Sequence, residues 1–232
     1  MLNEKDLEKY ATTYSIERLK SFVLSNEDTI DDVISRYKRN LRISLALYPE
    51  LSTLEIILRN AIDVALRMHY SETWIEDELQ NNTLLDVQDF SILQNAYQTT
   101  MKECKSSSKT LTTGKIIANL NFGFWTNLCT KKYNSKIWNK KGIFKSVFTN
   151  YPSKKPDVWL ISKKLNAIRK LRNRIFHYEQ IFKYPEKTLN LYNELLEVMS
   201  YLPKDELKIL ADISLFKDTY NSLIQETTLK SH

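Results

Sequence analysis

The chain has 232 residues, with 34 lysines and arginines against 28 acidic residues, and it holds only three glycines and five prolines. Because glycine and proline punctuate strands and tight turns, their scarcity argues against a strand-rich fold and predicts an all-α protein with short connections. The charged start of the chain, the lack of a long apolar run and the presence of only two cysteines favour one domain over residues 1–232, in the cytoplasm and away from membranes.

The first strong element is a predicted helix from about residue 25 to Tyr48. Ser25 or Asn26 is expected to cap it. Its apolar positions step at the spacing of an amphipathic helix, at Ile30, Val33, Ile34, Tyr37, Leu41, Leu45 and Tyr48. Pro49 predicts a boundary or a kink. A second helix is predicted over residues 51–70, with an apolar stripe formed by Leu51, Leu54, Leu58, Ala61, Ala65 and Met68.

The middle of the chain is strongly basic. Residues 131–174 hold fourteen lysines and arginines and one acid, Asp157, a local charge of +13, whereas the rest of the chain carries −7. So one-sided a segment predicts a polyanion partner, although a solvated lysine face is the plainer alternative. The side chains expected to contact RNA are Lys131, Lys132, Lys136, Lys140, Lys141, Lys145, Lys154, Lys155, Lys163, Lys164, Arg169 and Lys170.

Aromatic residues alternate with the first of these lysines. Tyr133, Trp138 and Phe144 could stack on nucleobases while the lysines contact phosphates. Alternatively, the three rings fill the core and only the lysines face solvent. The sequence leaves both alternatives open.

A polar cluster, "KLRNRIFHYE", lies in a helix predicted over about residues 157–181. Asn173 and His177 are four residues apart and share a face, so Asn173 can orient the imidazole. Arg172 precedes His177 by five residues, and the two long side chains can converge on one ligand if the helix ends near His177. Histidine can transfer protons near neutral pH, and arginine stabilises charge on a phosphate, so the pair suits phosphoryl chemistry on RNA.

Spacing alone makes this a weak signal, because a partly exposed histidine on a charged helix fits equally well. The other two histidines give even less indication of a functional role, because His69 is expected at a helix end and His232 in a frayed terminus. Histidine and cysteine spacings predict no metal site, and no cofactor is expected.

"LRNRIFHYE" resembles the Arg-x4-His motif of HEPN-fold ribonucleases. Further segments resemble the Abi-like (AbiD/AbiF) abortive-infection family, in family order from about residue 14 to residue 182: "YSIERLKSFV", "ISRYKRNLRISLALYPELSTLEIILRNAI", "GKIIANLNFGFWTNL" and "KLNAIRKLRNRIFHYEQI". The resemblance implies a HEPN-type helical bundle with additional helices. It also implies an anti-phage toxin that cleaves RNA without a metal and is controlled by a small structured non-coding RNA.

The resemblance assigns Arg172 and His177 the catalytic positions and Asn173 an orienting role. It implies a homodimer, because two motifs usually meet in one composite site and the chain has one. Glu55, Arg59 and Asn60 match a second polar signature of the family. We expect them to brace the motif helix, with Glu55 reaching a motif arginine; the plain alternative for Glu55 and Arg59 is a surface bridge.

Two classes of function remain from the sequence. The first is a ribonuclease toxin, and the second is a non-catalytic protein that forms a complex with a structured non-coding RNA. A bundle acting only through protein partners explains the segregation of charge poorly.

Overall fold

A computed structural model of the protein describes residues 15–203, 208, 210 and 212–229, with side chains described up to residue 226. Over these residues the chain is helical and has no strand, which confirms the all-α prediction. The α-helices are α1 (Ile16–Lys20), α2 (Ile30–His69), α3 (Trp74–Asn81), α4 (Val87–Ser106), α5 (Thr113–Asn119), α6 (Phe122–Leu128), α7 (Ile143–Val147), α8 (Val158–Phe176), α9 (Pro185–Tyr201) and α10 (Phe216–Leu229). Residue 14 and the predicted frayed end at His232 lie outside the described residues.

The chain forms two compact units. The first comprises residues 1–52, 170–194 and 209–232, and the second comprises residues 53–169 and 195–208. Helices α2, α8 and α9 each contribute residues to both units. The single domain over residues 1–232 therefore stays a prediction.

Helix α2 differs from its prediction at Pro49. It continues through this residue for 40 residues in all, so the predicted boundary is wrong. A proline removes one main-chain donor, whereas the neighbouring Leu47, Glu50 and Leu51 are buried and hold this stretch by packing. The helix ends at His69, as expected for that histidine.

The start of α2 also differs. The helix begins after Thr29, whose Oγ1 accepts a hydrogen bond from Asp32 N at 3.2 Å, while Asp32 Oδ2 accepts one from Thr29 N at 3.0 Å. This reciprocal pair is a capping box, and it makes the predicted caps at Ser25 or Asn26 wrong. Asp28 instead pairs with Arg36 at 2.6 Å, and this hydrogen bond holds the pKa of the Asp28 carboxyl far below its ordinary value.

The apolar stripe of α2 is only partly buried. Val33 is fully buried and packs with Leu19 and Phe22 of the first unit. Leu41, Leu45 and Tyr48, further along the same stripe, are 40%, 75% and 53% exposed. Met68, on the stripe predicted for residues 51–70, is also exposed, at 69%.

The core of the second unit is aromatic. Trp125 is fully buried and contacts Phe124 edge-on, with ring centroids 5.0 Å apart. Tyr133, Trp138 and Phe144 are 1%, 4% and 5% exposed. These three rings therefore fill the core, and the alternative in which they stack on nucleobases is wrong.

Within the described residues, no helix is both long and apolar enough to cross a membrane. Cys104 and Cys129 are both buried free thiols, and burial raises the pKa of the Cys129 thiol.

Candidate functional site

The motif lies at the carboxyl end of α8, in the first unit. Helix α8 ends at Phe176, five residues before the predicted end at residue 181. Tyr178 N donates to the carbonyl oxygen of Ile175, and Glu179 N donates to that of Arg174, both at 2.9 Å. These two bonds form a Schellman motif, in which Tyr178 takes the left-handed position with φ of 56°. His177 is consequently the residue at which the helix stops, the condition under which Arg172 and His177 can share a ligand.

Arg18 of α1 holds the main chain of the motif from outside the helix. Its Nη1 donates to the carbonyl oxygens of His177 and Tyr178, at 3.2 and 3.0 Å. Its guanidinium also lies over the Tyr178 ring, 5.4 Å from the centroid. Carbonyl groups at a helix end lack partners within the helix, so Arg18 both satisfies them and fixes the position of His177.

Asn40 of α2 holds the segment that follows the motif. Its side chain is buried, and its Nδ2 donates to the carbonyl oxygen of Glu179 at 3.1 Å. Its Oδ1 accepts from the main-chain N–H groups of Ile181, at 2.7 Å, and Phe182, at 3.2 Å. The buried Thr188 hydroxyl adds a bond to the Ile181 carbonyl oxygen at 2.7 Å. The irregular chain after His177 is therefore fixed by buried polar side chains.

The imidazole of His177 is solvent-exposed and Arg172 is half-buried. The Arg172 guanidinium lies over the Phe176 ring, 4.4 Å from its centroid. Phe176 is itself 46% exposed and contacts the Tyr48 ring at a centroid distance of 6.3 Å. Arg172, Phe176 and Tyr48 thus form a continuous set of contacts, and the exposed His177 follows Phe176 in the chain.

Arg174 is engaged within the chain rather than open to a ligand. Its Nε lies 3.2 Å from a Glu179 carboxylate oxygen, and its Nη2 donates to the Gln180 carbonyl oxygen. Asn173 is exposed, and its link to His177 is the main-chain bond from His177 N to Asn173 O at 2.9 Å. The orienting role of the Asn173 amide stays a prediction.

Glu55, Arg59 and Asn60 belong to the second unit, on consecutive turns of α2. Glu55 and Arg59 are half-buried, and Asn60 is exposed. The Nε of Arg59 is buried and has no hydrogen-bond partner among the described residues. Their bracing of the motif helix stays a prediction.

Most of the basic side chains predicted to contact RNA are exposed, but three of the lysines form hydrogen bonds or ion pairs within the chain. Lys132 Nζ lies 2.6 Å from Asp86 and from the buried Asp89. Lys136 Nζ donates to the Thr83 and Leu84 carbonyl oxygens, both at 2.9 Å. Lys164 forms an ion pair with Glu197. These three ammonium groups hold the fold together, and the remaining nine, whose ligand stays a prediction, are Lys131, Lys140, Lys141, Lys145, Lys154, Lys155, Lys163, Arg169 and Lys170.

Sequence reasoning missed Arg18 and Asn40. Both lie in segments that carry the family resemblance, but neither residue stands out by spacing. The one available signal for Asn40 is its place three residues before Ile43 and seven before Leu47, on a helix face that the structure buries. A polar residue in such a place usually has a structural partner.

Among the described residues, no group of three or more His, Cys, Asp or Glu side chains is arranged to hold a metal ion. Comparison of the chain with protein-family models, with curated proteins and with solved structures gave no match.

Proposed function

We propose that this protein is a metal-independent endoribonuclease of the HEPN type, with Arg172 and His177 as its catalytic residues. The observation that carries the proposal is the end of α8, where an exposed imidazole follows the last helical turn on a main chain held by Arg18 and Asn40. A residue that transfers protons must reach its substrate and yet keep a fixed position. The resemblance to the Arg-x4-His motif supplies the class of reaction.

The proposed chemistry uses the ribose as its own nucleophile. His177 accepts the proton of the 2′-hydroxyl, whose oxygen attacks the adjacent phosphorus. Arg172 donates hydrogen bonds to the phosphate oxygens on which charge develops. The imidazole of a second copy donates a proton to the departing 5′-oxygen, so the products carry a 2′,3′-cyclic phosphate and a 5′-hydroxyl. Asn173 keeps the imidazole in the productive orientation.

A second copy is needed because the chain holds one motif of this type. The exposed residues Leu41, Leu45 and Tyr48, which we call the α2 apolar patch, are candidates for the contact between copies. They lie three and four residues apart and so share one face of the helix. Tyr48 contacts Phe176, which in turn lies under Arg172. A symmetric contact through this patch would bring two motifs together.

The biological role that the resemblance favours is defence against phage, with the protein acting as a toxin held in check by a small structured RNA. Eight exposed lysines and the half-buried Arg169, between Lys131 and Lys170, supply a surface suited to such a partner. These assignments belong to the same proposal.

The test is cleavage of a labelled RNA by the purified protein in the presence of EDTA. We expect His177→Ala to lower the rate by about 100-fold or more, because the proton-transfer group is lost. Arg172→Ala should lower it as well. Arg174→Ala removes an arginine from the same helix outside the motif spacing and should leave most of the activity. Equal cleavage by the wild type and by His177→Ala would rule out the proposed site.

The alternative is a non-catalytic RNA-binding protein in which the motif only contacts phosphate. The excess of exposed basic side chains is compatible with it. In that case the wild type and His177→Ala would bind RNA equally well and neither would cleave it.

A further inference from the structure

Trp159 is the exposed member of the four tryptophans of the chain, all of which lie in the described part. It is 53% exposed, whereas Trp74, Trp125 and Trp138 are 2%, 0% and 4% exposed. Its place in the first turn of α8 is fixed by Asp157, whose Oδ1 accepts a hydrogen bond from Leu160 N at 2.8 Å. An exposed indole at the start of a helix offers a flat surface on which a planar ligand can stack.

Two depressions of the second unit meet at this ring. One has a volume of about 790 Å³ and is lined by residues of the 138–145 segment together with Pro156 and Val158. The other has a volume of about 360 Å³ and is lined by Thr130, Ser162 and Asn166 among others. Trp159 lines both. Trp159 is therefore the residue that the two depressions share.

Both depressions are positively charged. Five cationic side chains line them, namely Lys140, Lys141, Lys145, Lys163 and Arg169. Within the described residues none of the five forms an ion pair. Lys163 Nζ lies over the Trp159 ring, 5.5 Å from its centroid. Asp157 is the one carboxylate among the described lining residues, and it already accepts the helix-capping bond.

We infer that Trp159 is a stacking platform for an unpaired nucleobase of RNA, with the phosphates on either side bound by the lysines of the two depressions. The inference rests on the proposed function in that RNA is the ligand, and it adds a binding subsite that is separate in sequence from the Arg172–His177 motif. An exposed indole stacks on any base, while the ammonium groups contact the strand's phosphates. A base paired within a duplex cannot stack in this way, so the ligand is single-stranded.

Tyr184 offers a comparison within the first unit. It is 54% exposed, and the ammonium groups of Lys183 and Lys187 lie 5.8 and 4.5 Å from its ring centroid. Its surroundings carry less net positive charge, because Glu179 lines the same depression and Glu186 is exposed two residues on. Tyr184 is thus a matched control, an exposed ring with lysines but without the excess of cations found around Trp159.

The test is binding of an unstructured RNA, oligoadenylate of 12 nucleotides, to the His177→Ala protein, in which the RNA stays intact. Because three tryptophans are buried, a change in tryptophan fluorescence on saturation reports Trp159. We expect the RNA to quench this fluorescence and Trp159→Ala to weaken binding by about tenfold. Trp159→Phe, which keeps a ring, should stay within about threefold of the parent. Tyr184→Ala should bind like the parent.

Binding of a fully paired RNA duplex distinguishes the contribution of base stacking from that of charge. It should bind in a salt-dependent manner without quenching the fluorescence, and Trp159→Ala should not change its affinity. The inference is overturned if Trp159→Ala binds oligoadenylate as tightly as the parent, or if it weakens the duplex by the same factor.

Failure of the ribonuclease proposal gives a different result. If the wild type cleaves no RNA but oligoadenylate binding depends on Trp159, the platform stands and the proposed catalysis fails. If the wild type cleaves and Trp159→Ala binds normally, the catalysis stands and the platform fails.

Discussion

At the scale of single residues, the candidate site depends on side chains that are not in the motif. Asn40 uses both ends of its amide on the main chain of residues 179–182. Arg18 donates hydrogen bonds to the carbonyl oxygens of His177 and Tyr178. Main-chain groups in an irregular segment must find partners when they are buried, and here a single asparagine serves three of them.

Replacement of Asn40 by alanine should destabilise the protein. The substitution leaves the buried Ile181 N–H without its partner, so we expect the free energy of unfolding to fall by about 2–3 kcal/mol. The measurement is urea unfolding followed by circular dichroism. Lys38→Ala, an exposed change on the same helix, should stay within about 0.5 kcal/mol of the wild type.

The same variant also tests the placement of His177. In the proposed ribonuclease, Asn40→Ala should lower the cleavage rate under conditions in which the protein remains folded, with a smaller effect on RNA binding. A variant that is destabilised as expected but cleaves at the wild-type rate would show that the segment after the motif does not position the site.

At the scale of an element, the end of α8 is defined by Tyr178 in the left-handed conformation. This position usually holds glycine, because a side chain there meets the following carbonyl oxygen. In this protein the left-handed position holds Tyr178, and the Arg18 guanidinium lies over the Tyr178 ring. The Schellman motif therefore ends the helix at His177 although the left-handed position holds tyrosine and not glycine.

Two substitutions at Tyr178 should differ in their effect on the free energy of unfolding. Tyr178→Gly relieves the strain of the left-handed residue and loses the contact with Arg18, so the unfolding free energy should stay within about 1 kcal/mol of the wild type. Tyr178→Val places a β-branched residue at φ of 56° and should destabilise by about 1–2 kcal/mol. Thermal unfolding of the three proteins measures the difference. A valine variant as stable as the glycine variant would mean that the chain leaves this conformation at no cost.

At the scale of the whole molecule, the proposed ribonuclease combines one motif from each of two copies of the chain. The α2 apolar patch is the surface that we assign to this contact, because it is exposed and joins the motif through Tyr48 and Phe176. Burial of three large apolar side chains favours association by about 1.5–3 kcal/mol each when complete.

Leu45→Glu should therefore convert a dimer to a monomer and abolish cleavage together, since a charge in an apolar contact is costly. Sedimentation velocity measures the first effect and the EDTA cleavage assay the second. Val87→Glu is the matched control, because Val87 is 80% exposed on α4, outside the patch. A wild-type monomer that cleaves RNA, or a Leu45→Glu dimer, would contradict the assignment.

The sequence predicted the coarse features well where they depend on local properties. Few glycines and a helical period in the apolar residues were sufficient for the all-α class and for a helix over most of residues 158–176. The position of His69 at a helix end was also predicted correctly. Each of these depends on neighbours within a few turns, which a sequence displays directly.

The predictions failed where several elements compete for one residue. Pro49 stays inside α2 because packing outweighs the loss of one hydrogen bond, and Thr29 replaces Ser25 or Asn26 as the cap because Thr29 and Asp32 form two reciprocal hydrogen bonds. The same applies to Leu45, which shares a stripe with the buried Val33 but is exposed. Burial depends on what lies opposite a side chain, and a periodic pattern does not contain that information.

Composition and the period of the apolar residues were sufficient to predict the helical class, and the charge of the basic segment can be counted along the chain, because both are local properties. The folded structure was needed to show that α8 stops at His177, that Arg18 and Asn40 hold the chain around it, and that Trp159 is exposed while Tyr133, Trp138 and Phe144 are core. These outcomes depend on contacts between residues far apart in sequence, since a main-chain group or a ring is satisfied by whichever partner the fold brings to it.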